Sequence, residues 1–149
     1  MGTSIKSAAL RLLKVRPRST GELKERLKAK GFSEFDIQTT VEDLTASGLL
    51  NDRAFTKSWI TYRLARPFGF KRISRELEVK GIGKEMIKEA IVQAMAGFDQ
   101  LQAARQLAER RWGILDGVDP EKRKKRVLDF LIRRGFEPDA AFRALKNLK

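Results

Sequence analysis

The chain has 149 residues, of which 42% are hydrophobic and 34% charged, enough apolar content for a packed interior and unlike a disordered segment. Thirty-two Lys and Arg against nineteen Asp and Glu leave a formal charge of +13, which points to an anionic partner such as nucleic acid, a nucleoprotein or an acidic membrane. Cys and His are both missing, which excludes disulfides, thiolate nucleophiles, most zinc sites and the side chain best suited to proton transfer near neutral pH.

The opening MGTSIKSAALRLLKVR has no apolar run long enough for a signal-peptide core, and nowhere do 18 consecutive apolar residues occur that could span a bilayer. A cytoplasmic setting without membrane contact is expected. Gly2 followed by small residues imitates an N-myristoylation start, but Lys6 stands where Ser or Thr is required. Residues 4–15 read as a first helix, stopped by Pro17, and Ser19 with Glu22 forms a capping box that opens a second helix over 22–30. Gly31 closes it, and a third helix follows over 33–47, ended by Gly48. The order then recurs. Residues 51–65 form a helix with Asp52 as the N-cap candidate; Pro67 and Gly69 stand where Pro17 and Ser19 stood; helices follow over 71–80 and 83–96, the latter ended by Gly97. Asp99 is the N-cap candidate for a helix over 99–112, Pro120 and a basic run open one over 122–134, and Pro138 suits an early position in the last, 137–149. No alternation of apolar and polar residues between hairpin turns is present, so no sheet is expected.

Aligning Gly31, Gly81 and Gly135, separated by 50 and 54 residues, makes the repeat explicit. Eight residues before each Gly stand Leu23, Ile73 and Val127; four before, Leu27, Leu77 and Leu131; one after, Phe32, Ile82 and Phe136; ten after, Val41, Ile91 and Leu145. That spacing is what two amphipathic helices joined by a tight turn require. Lys30, Lys80 and Arg134 precede the glycines, placing a cation at the negative end of each helix dipole and a residue able to take positive φ after it. The expected fold is all-α: three tandem three-helix repeats, residues 4–48, 49–97 and 98–149, forming an elongated, curved helical stack.

The charge is concentrated on the second helix of each repeat. Those three segments carry fifteen basic and five acidic residues, a net +10 of the chain's +13, whereas the third helices sum to −3. A DNA-reading helix-turn-helix would place the basic helix after the turn, so that architecture is disfavoured. Equivalent helices brought side by side would instead line up Lys24, Lys28, Lys71, Arg72, Arg75, Lys124, Lys125, Arg126 and Arg133 to contact phosphates or an acidic protein surface without reading bases. Phe55, Trp59 and Tyr62, at i, i+4, i+7, read as a core stripe, Phe68 and Phe70 in their basic loop as candidates for exposure, and Trp112 as either.

No catalytic frame is legible. Pro138-Asp139 and Glu78-Val79-Lys80 contain the pieces of a Mg²⁺-dependent nuclease signature, but in reversed order and on predicted helices. Phosphate-binding, dinucleotide and nucleophile-elbow motifs are missing. A non-enzyme without cofactor or metal is expected.

Taken in order, SGLLNDRAFTKSWITYR (47–63), GFKRISRELEVKGI (69–82) and FLIRRGF (130–136), with STGEL and KGF in the first unit, resemble the bacterial RecX family of regulatory proteins over nearly the whole chain. The resemblance implies an all-helical modulator of the RecA recombinase that lodges in the groove of the RecA–DNA filament, blocks its growth or promotes its disassembly, and damps ATP hydrolysis, strand exchange and SOS co-protease activity. It implies the RecA filament as partner, with single- and double-stranded DNA contacted non-specifically through phosphate, and a monomeric protein. Leu49, Leu50, Phe55, Trp59, Ile73, Leu77, Ile82, Phe130 and Phe136 fall on family positions read as core. Arg63, Lys71, Arg72, Arg75, Lys80, Lys124, Lys125, Arg126, Arg133 and Arg134 are the expected filament and DNA contacts, Arg134 doubling as a helix cap. Phe70 stands where the family's loop varies, and the chain is short for the family, which argues against any function that needs an added tail.

Overall fold

The computed structural model describes residues 2–149. Among them are nine α-helices and no strand: α1 (Ile5–Val15), α2 (Thr20–Ala29), α3 (Glu34–Ala46), α4 (Asp52–Leu64), α5 (Phe70–Val79), α6 (Lys84–Met95), α7 (Gln100–Ile114), α8 (Pro120–Arg133) and α9 (Pro138–Leu145). No helix among the described residues is long and apolar enough to cross a membrane. Their ends are set by local chemistry. Ser4, Ser33, Asp99 and Asp119 each accept a backbone N–H of the first turn they cap, Ser19 and Glu22 complete the capping box, and Pro120 and Pro138 open α8 and α9 where a missing N–H costs nothing. Gly31, Gly81 and Gly135 all take positive φ, at 88°, 80° and 92°, reversing the chain between the second and third helix of each repeat.

Packing divides the chain into two units. The first runs to Ser58 and adds Leu77–Ile87; the second comprises Trp59–Glu76 and Lys88–Lys149, so α4, α5 and α6 each contribute residues to both. In the first, α1, α2 and α3 pack on one another around Ala8, Ala9, Leu23, Leu27, Ile37, Val41, Leu44 and Leu50. In the second, α7, α8 and α9 enclose Ala104, Leu107, Ala108, Trp112, Val127, Leu131, Phe136, Ala141 and Ala144. Two repeated positions predicted from spacing, Leu23/Ile73/Val127 and Leu27/Leu77/Leu131, are fully buried in all three repeats. Each such side chain contributes about 1.5–3 kcal/mol relative to exposure.

Four sequence-based expectations differ from the structure. Asp52 does not cap α4: the Asn51 side chain accepts the Ala54 N–H (3.0 Å), while Asp52, one residue inside the helix, accepts the Thr20 N–H at 2.7 Å and so serves the start of α2. Leu49 is 58% exposed, because the turn that follows Gly48 sends Leu50 inward and its neighbour outward. The Phe55–Trp59–Tyr62 stripe leaves the core along its length: Phe55 is buried, Trp59 half-buried and Tyr62 47% exposed. Phe70 is only 7% exposed, its ring edge-on to Phe98 at 5.8 Å, because it belongs to the first turn of α5 and not to the loop. Trp112 is a core residue whose indole N–H donates to the Lys149 carbonyl (3.0 Å) and whose ring carries the Arg123 guanidinium at 4.1 Å.

Candidate functional site

The turn after each second helix is a docking point. In the first unit the start of α2 meets the end of α5: the Ser19 hydroxyl donates to the Lys80 carbonyl at 2.6 Å, and Gly21 lies against the backbone of Lys80 and Gly81. In the second unit the start of α5 meets the end of α8 in the same manner, with the Gly69 N–H donating to the Arg134 carbonyl (2.8 Å) and the Lys71 N–H to the Gly135 carbonyl (3.2 Å). Helix-end carbonyls that would otherwise lack a partner are thereby satisfied by helix-start donors, and opposite dipole ends meet. Gly69 must be glycine, since a Cβ there would collide with the backbone of Gly135 and Phe136. The recurring basic–Gly–apolar triplet therefore serves two purposes: it ends one helix and, in the second and third repeats, receives the start of another.

Each junction borders a cleft. That of the first unit, about 490 Å³, is lined by Arg16, Arg18, Arg26 and Lys80 but also by Glu22 and Glu25. Glu22 is its pivot: one carboxylate oxygen accepts Lys80 Nζ at 2.6 Å, the other Arg16 at 3.1 Å, and the latter also takes the Ser19 N–H. Burial raises the Glu22 carboxyl, but the hydrogen bonds from Arg16 and Lys80 together outweigh it and hold the group below the usual carboxylate range. Burial, then Arg16 and Arg26, lower the Arg18 guanidinium.

The cleft of the second unit, about 450 Å³, has no acidic wall. Lys71, Arg72, Arg75 and Arg133 line it together with Ile132, Gly135, Phe136 and Pro138. Behind it three guanidiniums gather on one ring: Arg63, Arg72 and Arg134 lie 3.8, 4.5 and 4.8 Å from the Phe68 centroid, and Arg134 also lies 5.1 Å from that of Phe130. Such stacking stabilises each cation by about 0.5–2 kcal/mol. A single carboxylate serves the group. Glu76 accepts Arg63 at 2.5 Å, Arg72 at 3.4 Å and the Trp59 indole N–H at 3.1 Å. Burial lowers the Arg134 pKa, and the neighbouring charges of Arg72 and Arg63 lower it further.

Of the ten basic residues singled out by sequence, the structure brings Lys71, Arg72, Arg75 and Arg133 around one groove, and Arg63 and Arg134 beside Arg72 on Phe68. Arg63 is held inward, its side chain 13% exposed and bound to Glu76; Lys80, 17% exposed, is bound to Glu22 in the first unit. Lys124, Lys125 and Arg126 occupy the first half of α8, exposed, with Lys124 3.6 Å from Glu121. Sequence reasoning passed over Glu76 and Phe68 as organisers of the site. The Arg72/Glu76 spacing of four was a legible signal; the convergence on Phe68 was not.

Three family models match the chain in order, describing the first three-helix domain of RecX over residues 6–44, the second over 51–91 and the third over 99–145. The chain is similar to a regulatory protein RecX from Amycolatopsis mediterranei, 33% identical over 138 residues that cover 91% of this chain and 78% of the relative. It is 34% identical to one from Trichlorobacter lovleyi, over 89% of this chain and 87% of that one. Its fold is similar to the crystal structure of RecX from Lactobacillus salivarius, with a TM-score of 0.83 and 22% identity across 97% of this chain and 94% of that chain. Matches to all three domain models, with relatives a third identical across most of both chains, show that this chain belongs to the RecX family of regulatory proteins.

Proposed function

We propose that this protein regulates a RecA recombinase by binding the RecA–DNA filament, opposing filament extension or promoting disassembly, and thereby damping ATP hydrolysis, strand exchange and SOS co-protease activity. It acts in this reading as a cytoplasmic, monomeric, non-catalytic protein of three repeats spanning 4–48, 49–97 and 98–149. Family membership supports the reading, and the observation that carries it to residues is the groove whose charged lining is basic throughout, Lys71, Arg72, Arg75 and Arg133, of which Lys71 is paired with Glu137. Such a groove makes several shallow contacts with phosphate or acidic side chains, and several weak contacts on one scaffold give grip without a deep pocket. Lys124, Lys125 and Arg126 extend the cationic surface along α8, whereas Arg63 supports it from within its ion pair; Lys80 contributes its charge in the first unit, paired with Glu22.

At substoichiometric amounts the protein is expected to slow DNA-dependent ATP hydrolysis by preformed RecA filaments. Arg72→Glu combined with Arg75→Glu is expected to weaken that effect without loss of helicity by circular dichroism. A second reading, a sequence-independent DNA-binding module, draws on the same groove; it wins if excess protein shifts bare DNA while RecA turnover is unchanged. Binding that hardly responds to salt would instead favour an adaptor for a different acidic protein, because phosphate contact is driven by counterion release.

A further inference from the structure

The two junctions are equivalent copies of one arrangement, and their differences are informative. With the repeats aligned on their glycines, Ser19 corresponds to Gly69, Glu22 to Arg72, Glu25 to Arg75 and Lys80 to Arg134. In the α2/α5 junction the cation at the helix end, Lys80, is neutralised by Glu22 at 2.6 Å. In the α5/α8 junction the residue in the position of Glu22 is itself an arginine. Arg134 therefore shares the Phe68 ring with Arg72, and no carboxylate among the described residues lies within ion-pair distance of it. Of the acids at this junction, Glu76 is already engaged by Arg63, Arg72 and Trp59, and Glu137 by Lys71 at 3.3 Å.

We propose that the α5/α8 junction is an incomplete copy of the α2/α5 junction, completed by a carboxylate of an acidic protein partner that sits against Arg72 and Arg134 as Glu22 sits against Lys80. The inference rests on the filament reading for the partner's identity, but not for the chemistry of the anion. Two observations favour a carboxylate over nucleic acid. The fold itself fills the equivalent position with a carboxylate, Glu22 against Lys80 and Arg16. Phe68, moreover, carries three guanidiniums within 4.8 Å of its centroid, which a stacking nucleobase would have to displace. Half-buried arginines among aromatic side chains, with exposed Tyr62 on the same α4 helix, are also the composition of a protein-interface hot spot.

The test compares a fluorescein-labelled glutamate-rich peptide with an oligothymidylate of equal charge by fluorescence anisotropy, at one salt concentration. Arg134→Gln is expected to lose about tenfold or more in affinity for the peptide, and no more than about twofold for the oligonucleotide, where one phosphate contact among several is removed. Arg134→Lys restores the charge without the fork; it is expected to recover the oligonucleotide affinity fully and the peptide affinity only in part. Arg72→Glu, which supplies the carboxylate from within, is expected to abolish peptide binding. Equal losses on both probes, or a parent protein that ignores the peptide, would each overturn the proposal. Peptide binding that depends on Arg134, in a protein that leaves RecA turnover untouched, would support the proposal and refute the filament reading alone.

Discussion

Gly69→Ala is the most direct probe of how the repeats are joined. The added Cβ would lie inside contact distance of the Gly135 carbonyl group and the Phe136 nitrogen, all backbone atoms that no rotamer change can move aside. The start of α5 must therefore withdraw from the end of α8, giving up the Gly69–Arg134 and Lys71–Gly135 hydrogen bonds of 2.8 and 3.2 Å. These two bonds contribute about 2 kcal/mol together. Relieving the overlap costs about 1–3 kcal/mol more, and the reduced freedom of alanine in the unfolded chain offsets about 0.5–1 kcal/mol. The net destabilisation is about 3 kcal/mol, a fall in melting temperature of roughly 6–12 °C for a chain of this size. Gly113→Ala is the control. It lies within α7 with nothing within 4 Å of its would-be Cβ, and the substitution should stabilise by about 0.5–1 kcal/mol. Urea and thermal unfolding of the two variants side by side provide the measurement; equal stability would mean that the helix-start to helix-end contact does not form in solution.

Glu22→Gln should lower the melting temperature at neutral pH. Because the folded-state carboxyl is held below its ordinary value, the ionised group's contribution is present above the unfolded-state value and lost as the pH falls through the folded-state one. The gap between parent and variant should accordingly close in acid; a gap that widens there would contradict the Lys80–Glu22–Arg16 arrangement. Arg63→Ala removes the shortest partner of Glu76 and should cost about 2 kcal/mol in urea unfolding, with Arg63→Lys recovering only part of it since a single ammonium cannot also cover Phe68. Leu131→Ala, at a fully buried position, should cost about 2–5 kcal/mol, whereas exposed Leu49→Ala should stay within about 0.5 kcal/mol. Similar losses at both leucines would place Leu49 in the core after all.

Local signals in the chain carried the helices. Ser19 with Glu22, Asp99, Pro120 and the positive-φ glycines Gly31, Gly81 and Gly135 each act within a turn of their own position, so their consequences can be read without knowing what lies across from them. The i, i+4 leucines marked the buried face for the same reason: a helix has one period, and any partner must cover that stripe. The excess of cations on α2, α5 and α8 was likewise legible, since it is a property of composition by segment.

Partnership between distant segments was not legible. Asp52 has the residue type of a cap, but whether it serves its own helix or the start of α2 depends on which backbone lies opposite. The pattern that marks Tyr62 as core and Phe70 as loop describes spacing along one helix, whereas burial is decided by the extent of the neighbouring surface. Sequence alone determined the nine helices found among the described residues, their glycine turns and a cationic second helix in every repeat, because propensity, capping and periodicity act over a few residues. Tertiary structure alone decided that the end of one such helix abuts the start of another, that a carboxylate closes the α2/α5 junction, and that Arg72 faces Arg134 with no carboxylate between them in the other. Charge pairing across that distance is set by three-dimensional proximity, which no spacing along the chain encodes.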